Sequence, residues 1–172
     1  MLRLCFTLTF SIGLLISCNK SSSVSINHDT CPDITYFDLD CIIDFNEPAI
    51  IGSNGFHTFL YDNGQVKSEG NLSNGIPNGF WKFYYDNGHI KTEGNYSNGQ
   101  LNGFWKVYWY NGNIREEGHY QYCEKQGFWK FFYPTINHQL HYEGSYNQGK
   151  RINEWKAYDK DNKLTYDGLC ND

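Results

Sequence analysis

The residues of this chain that could carry metal chemistry are a few histidines and one acidic run. His138 with His141, or His119 with His141, could form a metal pair, but no Cys, Asp or Glu recurs beside them at ligand spacing. We therefore expect surface histidines and no metal site. The acidic run at residues 38–44 suggests calcium, yet it has neither the glycine nor the closing glutamate of a calcium loop. A solvated acidic face is favoured.

The acids that recur along the chain are more consistent with structure than with catalysis. Glu69, Glu93, Glu117, Glu143 and Asp167 occupy one repeated position, and most of them lie near a lysine. Glycoside hydrolysis needs two carboxylates in different surroundings, one of them in a dry pocket. The sequence also has no serine–histidine–aspartate context and no phosphate-binding glycine loop. We expect a protein that is not an enzyme and needs no cofactor.

Length and charge narrow the class further. The chain has 172 residues, a net charge of -5 and 18% aromatic residues. This length predicts one domain with a short appendage. No basic cluster is available to follow a phosphate backbone, so we expect no nucleic-acid partner.

The N-terminus is predicted to direct the chain out of the cytoplasm. Residues 1–17 hold one positive charge and an apolar run too short to span a bilayer, which is typical of a secretory signal. The sequence ending at Cys18 resembles the bacterial lipobox, which implies that Cys18 is lipidated and anchors the mature protein to a membrane. Asn19 and not Asp follows it, so the outer membrane of a Gram-negative bacterium is expected. The alternative is an ordinary signal peptide cut nearby, with Cys18 either lost or unmodified.

Two segments separate this signal from the rest of the chain. Residues 18–30 form a Ser-rich tether. Residues 31–54 form an acidic segment whose alternating apolar residues predict a half-buried strand that caps the following domain. Export permits disulfides, and Cys31 with Cys41 is the pair that we expect to form one.

Residues 55–170 contain an internal repeat. Gly-Phe-Trp-Lys occurs at 79–82, again 24 residues later at 103–106 and again at 127–130, and a degenerate copy lies at 153–156. Asn-Gly lies between these landmarks at 63–64, 87–88 and 111–112, residues 134–138 replace it in the fourth copy, and Glu-Gly or Asp-Gly closes each unit. About five copies follow one another, so the repeat predicts an array and not a globule.

Each copy is predicted to be one β-hairpin. Asn-Gly between aromatic and β-branched runs favours a type I′ turn, in which both central residues have positive φ. Pairing outward from residues 87–88 sets Trp81 opposite Gly94 and Lys82 opposite Glu93. Each indole is expected to cover the glycine opposite it, and each Lys to form a charge pair with its Glu or Asp. The four indole–glycine pairs are Trp81 with Gly94, Trp105 with Gly118, Trp129 with Gly144, and Trp155 with Gly168.

The fold that follows is all-β: an elongated antiparallel sheet of about five tandem hairpins, forming a single-layer twisted ribbon. Cys123 and Cys170 lie two repeats apart on it, roughly 20 Å by strand spacing and beyond disulfide reach, so we expect free thiols or core residues.

The motif from Gly79 to Tyr96 resembles the variant form of the MORN repeat, and the chain resembles bacterial proteins grouped as YwqK-type antitoxins. The first resemblance implies a hairpin ribbon that acts as a scaffold or binding surface, sometimes near membranes. We therefore expect a protein–protein interaction scaffold at the cell envelope. The alternatives are an antitoxin-like protein that neutralises a toxin and a module that binds envelope glycans through exposed aromatic rows.

Overall fold

Ten antiparallel strands form one open sheet. The computed structural model describes residues 52–135 and 137–170, and within them the strands follow one another in chain order from β1 to β10. This architecture confirms the predicted all-β array of tandem hairpins. The strands are β1 (Gly55–Leu60), β2 (Val66–Ser73), β3 (Ile76–Tyr84), β4 (Ile90–Ser97), β5 (Gln100–Tyr108), β6 (Ile114–Gln121), β7 (Glu124–Phe132), β8 (Leu140–Asn147), β9 (Lys150–Tyr158) and β10 (Leu164–Leu169).

The predicted secretory signal, the tether and nearly all of the acidic segment lie outside the described residues, which begin at residue 52. The same holds for Cys18, Cys31 and Cys41.

The turn that contains Asn87 and Gly88 closes a hairpin, but it is not the predicted type I′ turn. The Gly88 amide donates to the carbonyl of Tyr85 at 3.0 Å, and the Tyr85 amide donates to the backbone carbonyl of His89 at 2.8 Å. Gly88 has a φ of 84°, whereas Asn87 has no positive φ. This pattern is a type I turn followed by a glycine bulge. The side-chain oxygen of Asn87 stabilises it by accepting the His89 amide at 3.0 Å.

Type I′ turns occur instead at the opposite edge of the sheet, where one hairpin passes into the next. Asn74 and Gly75 have φ values of 52° and 79°, and Asn98 and Gly99 have 49° and 78°. The residues that flank each turn pair directly, so the loop has only two residues. The bulged and the tight turns therefore alternate along the chain.

The strand register contains the predicted pairs. Trp81 lies opposite Gly94, Lys82 opposite Glu93 and Phe83 opposite Thr92. Simple pairing outward from the turn fails beyond Phe83, because the bulge shifts the register there and sets Tyr84 opposite Ile90 in place of Lys91. The equivalent shift recurs in the other hairpins.

One face of the sheet is the core, and we call it the tryptophan face. Its largest fully buried side chains include the four repeat tryptophans, Phe131 and Leu101. Neighbouring repeats are also joined at the bulged turns: the Tyr85 hydroxyl donates to the carbonyl of Tyr108 at 2.7 Å, 23 residues further along the chain. Tyr61 and Tyr133 make the equivalent bonds.

Candidate interaction surface

Each indole on the tryptophan face lies over the glycine of the preceding strand, not over the one predicted. A Cβ added to Gly70 would lie 2.3 Å from Trp81, and one added to Gly94 would lie 2.2 Å from Trp105. Trp81 faces a glycine on both sides in the register, so strand pairing alone does not decide between them. The indole N–H decides, because it donates to the carbonyl of Asn71 at 2.9 Å, directly after Gly70.

The same shift applies along the array and corrects the predicted contacts. Trp129 covers Gly118, and Trp155 covers Gly144. Gly168 lies opposite Trp155 in the register, but its nearest side-chain atom is the hydroxyl of Tyr166.

Tyrosine rings fill the space between successive indoles. Tyr96 meets Trp81 edge-on at 6.3 Å and Trp105 edge-on at 5.2 Å. Tyr120 and Tyr146 repeat this arrangement further along the sheet. Edge-to-face pairs stabilise by about 0.5–1.5 kcal/mol beyond their area burial. The four repeat tryptophans are therefore structural core and are not available to a ligand.

A buried ion pair interrupts this aromatic core in the third repeat. Glu116 has a fully buried side chain, and its two oxygens accept from Lys125 and from Arg115 at 2.9 Å each. The Lys125 ammonium also lies 4.5 Å from the centre of the Trp129 ring. Sequence reasoning missed this pair. The signal was present, because the preceding repeat has Thr92 at the position of Glu116 and an apolar leucine at the position of Lys125.

The predicted charge pairs on the face opposite the tryptophan face do not form ion pairs. Among the described residues, the ion pairs within 4.0 Å are those of Glu116. Glu93 lies opposite Lys82, but its carboxylate accepts from the Tyr108 hydroxyl at 2.6 Å. The carboxylates of Glu69 and Glu143 likewise accept from tyrosine hydroxyls at 2.7 and 2.9 Å.

These tyrosines remain neutral donors. Burial first, and then the hydrogen bond to Glu69, raise the pKa of Tyr84 to about 12. The repeated glutamates therefore join one hairpin to its neighbour.

A row of exposed phenylalanines lies on this opposite face, which we call the phenylalanine face. Each residue directly precedes a tryptophan position, and side chains alternate along a strand, so the ring points away from the core. Sequence reasoning missed the row, although this alternation was a sufficient signal. Its members and their exposed fractions are Phe56 (63%), Phe80 (47%), Phe104 (42%) and Phe128 (52%).

The spacing of this row is regular. Its members lie on β1, β3, β5 and β7, two strands apart, which places them roughly 9.5 Å from one another. A polar residue faces each ring across the strand pair, among them Asn71 and Asn95. The result is an apolar stripe with polar borders.

The three histidines considered as metal ligands have different surroundings. His141 stacks on Tyr133 with ring centres 3.9 Å apart, and burial lowers its pKa to about 4. His119 meets Phe104 edge-on at 5.1 Å. His138 has a φ of 49° in the long loop between β7 and β8. Within the described ranges, no three His, Cys, Asp or Glu side chains group in a way that could hold a metal ion.

Cys123 and Cys170 are both disulfide-bonded, so the expectation of free thiols is wrong. Cys170 is also a core residue, with 2% of its surface exposed, and Cys123 packs against the core from the turn between β6 and β7.

Comparison with known families identifies the repeat. Residues 77–98 and 101–122 each match the MORN repeat variant, and each match covers one strand pair joined by a bulged turn. The chain thus contains MORN-type repeats, which are commonly modules for protein or membrane interaction. No curated protein matches the chain. Residues 52–135 and 137–170 contain no helix long and apolar enough to cross a membrane.

Proposed function

We propose that this protein is a non-enzymatic scaffold that binds another protein through its phenylalanine face. The row of exposed phenylalanines carries the proposal. A single exposed apolar residue is ordinary, but one repeated at the same position in four successive units forms a continuous stripe, which is typical of interaction sites. The stripe is roughly 30 Å long at strand spacing.

The chemistry of the stripe suggests the partner. Its rings are about 9.5 Å apart and have asparagine and histidine beside them. A protein surface with apolar side chains at that spacing and amide or hydroxyl groups between them would be complementary. Aromatic anchors with a polar rim contribute most of the binding free energy in such interfaces.

The repeated glutamates support the non-enzymatic part of the proposal. General acid–base catalysis needs a carboxylate free to exchange a proton with a substrate. Glu69, Glu93 and Glu143 instead accept hydrogen bonds from tyrosines at one structural position. They thus have a structural role that accounts for their repetition.

The proposed location is the cell envelope. It rests on the signal at residues 1–17 and on Cys18, which would carry the lipid and hold the array through the tether at 18–30. Mass spectrometry of protein extracted from membranes checks this step: an acyl mass on Cys18 supports the anchor, and an unmodified Cys18 contradicts it.

Capture from envelope extract tests the binding face. We expect the tagged mature protein to retain a specific partner. The variant Phe80→Ser/Phe104→Ser should capture at least about tenfold less of that partner, since hot-spot truncations cost 2 kcal/mol or more. Leu164→Ser/Leu169→Ser is the matched control, because both leucines are exposed on the same face but lie on the edge strand β10, three strands beyond Phe128 at the end of the stripe. Circular dichroism verifies that both variants fold. Equal capture by the two variants would contradict the proposal.

The two alternative functions are separate outcomes of the same experiment. Sedimentation with peptidoglycan tests glycan binding, for which Tyr84, Tyr108 and Phe132 are the candidates opposite the four buried repeat tryptophans. The hydroxyls of Tyr84 and Tyr108 are already bonded to glutamates, which disfavours this function. Antitoxin-like activity would appear as a captured protein that is toxic when expressed without this chain.

A further inference from the structure

The two disulfide-bonded cysteines of the sheet are too far apart to be bonded to each other. Cys123 lies in the turn between β6 and β7, and Cys170 directly follows β10, with β8 and β9 between them. At roughly 4.8 Å per strand they are at least about 14 Å apart. A disulfide needs Cα atoms within about 7 Å. Each cysteine is therefore bonded to another cysteine of the chain.

The other four cysteines are Cys5, Cys18, Cys31 and Cys41. Cys5 lies in the expected signal, and Cys18 is the expected site of lipidation. Cys31 and Cys41 remain as partners for the two cysteines of the sheet.

Cys123 stands where the other tight turns have glycine, although its backbone conformation is the same as theirs. Cys123 has a φ of 68°, in the left-handed region, at the turn position that Gly75, Gly99 and Gly149 occupy in the other repeats. A non-glycine residue there costs roughly 1–2 kcal/mol. Cys170 is 2% exposed although it follows the edge strand, whose Leu169 is 66% exposed.

Chain length decides which cysteine bonds to which. The carbonyl of Ser53 accepts the Gly75 amide at 2.7 Å, which fixes this end of the N-terminal segment beside β1. From Ser53 to Cys41 the chain spans at most about 40 Å. Cys123 is about five strand spacings from β1, or roughly 25 Å, whereas Cys170 is nine spacings away, or roughly 43 Å. Cys41 thus reaches Cys123 easily and Cys170 only at full extension.

The second bond follows from the first. Cys31 lies ten residues before Cys41, so it reaches up to about 33 Å further. Cys170 is about 14–19 Å beyond Cys123 along the sheet. We propose that Cys41 bonds to Cys123 and Cys31 to Cys170. These bonds replace the predicted pair of Cys31 with Cys41.

The charges on the tryptophan face agree with this pairing. Lys125 and Arg151 occupy one position in successive repeats, opposite Tyr120 and Tyr146. The earlier repeats have Pro77 and leucine at that position. Basic residues therefore replace apolar ones in the part of the array between the two sheet cysteines. Residues 31–54 carry five acids and no Lys or Arg.

Each bond forms when two thiols lose two protons and two electrons, which a disulfide-bearing oxidant of the exported compartment accepts.

Peptide mapping of the unreduced protein tests the pairing. After free thiols are blocked, trypsin releases Cys123 in residues 116–125, Cys170 in 164–172, and both N-terminal cysteines in 21–67, which has no internal Lys or Arg. We expect all three peptides in one linked species. Cleavage before Asp33, Asp38 and Asp40 then separates Cys31 from Cys41, and residues 116–125 should stay with Cys41. Peptide 21–67 closed on itself, residues 116–125 bonded to 164–172, or the exchanged pairing would each overturn the proposal.

Two single substitutions give an independent measurement. Cys41→Ser should leave one blockable thiol at Cys123, and the matched variant Cys31→Ser should leave one at Cys170. If Cys31 and Cys41 were bonded to each other, the free thiol would instead be the remaining one of those two in both variants. The mapping of the unsubstituted protein decides the question even if a variant fails to fold.

Discussion

Substituting Gly94 by Ala tests the contact that holds successive hairpins together. The new Cβ would lie 2.2 Å from Cδ2 and 2.5 Å from Cε2 of Trp105, against the 3.4–4 Å of ordinary contact. The indole must therefore retreat by about 1 Å. It has little room to do so, because Trp105 is 1% exposed and has Tyr96 and Tyr120 edge-on to its two sides.

The expected cost follows from this crowding. Overpacking a filled core costs typically 1–3 kcal/mol and occasionally more. The backbone of Gly94 does not have a positive φ, so Ala adds no backbone strain there. Ala also lowers the conformational entropy of the unfolded chain, which by itself would stabilise the fold by up to about 1 kcal/mol. Because Trp105 is fully enclosed, the overpacking cost lies at the upper end of that range, and we expect the free energy of unfolding to fall by about 2 kcal/mol.

Urea unfolding of the mature protein, followed by circular dichroism, measures this loss as a lower midpoint at unchanged slope. Gly168→Ala is the matched control. It is the same repeat position on the last strand, where the added Cβ meets the far end of the Tyr166 side chain, the hydroxyl at 2.8 Å and Cζ at 3.0 Å. Its expected cost is below about 1 kcal/mol.

Double substitutions identify the indole responsible. In a Trp105→Leu background, Gly94→Ala should cost less than about 1 kcal/mol, because the clash is gone. In a Trp81→Leu background it should keep its full cost, although Trp81 lies opposite Gly94 in the hairpin. Relief by Trp81→Leu instead of Trp105→Leu, or equal costs at Gly94 and Gly168, would refute the assignment of each indole to the preceding strand.

Two further properties of the array can be measured in the same way. Lys125→Leu alone should destabilise the fold by about 3 kcal/mol, because it removes one of the two cations paired with the buried Glu116. The double variant Glu116→Thr/Lys125→Leu copies the preceding repeat and should be neutral or stabilising. A double variant as unstable as the single one would contradict this. The pKa of His141 is about 4 in the folded protein and 6.5 ordinarily, so the unfolded chain takes up the proton first as the pH falls, and stability should drop between pH 6.5 and about 4. His141→Phe should flatten that drop in the urea midpoint and His138→Gln should not, and an unchanged slope in His141→Phe would contradict the assignment.

Local patterns in the sequence were sufficient for the hairpins and most of their register. Trp81 lies opposite Gly94 and Lys82 opposite Glu93 because the position of each turn fixes which residues of its two strands meet. The turn type was wrong, because Asn-Gly suits both a type I′ turn and a type I turn with a glycine bulge. Counting residue pairs outward from the turn does not reveal the bulge, which shifts the register between Phe83 and Tyr84.

The candidate surface was only partly accessible to the same reasoning. Alternation along β3 and β5 already places Phe80 and Phe104 opposite to the tryptophans, so the phenylalanine row could have been predicted. The partner of Glu93 could not, because Tyr108 belongs to the neighbouring strand and reaches the carboxylate across two residues of register.

The sequence alone determined that this chain is an array of aromatic hairpins, because turn residues and alternating side chains are local properties that repeat every 24 residues or so. The tertiary structure decided which neighbour each repeated group contacts. Trp81 has a glycine on both flanking strands, and Glu93 has a lysine and a tyrosine on its neighbouring strands. Choices between equivalent neighbours depend on the packing and hydrogen bonds of the assembled sheet, which no single repeat contains.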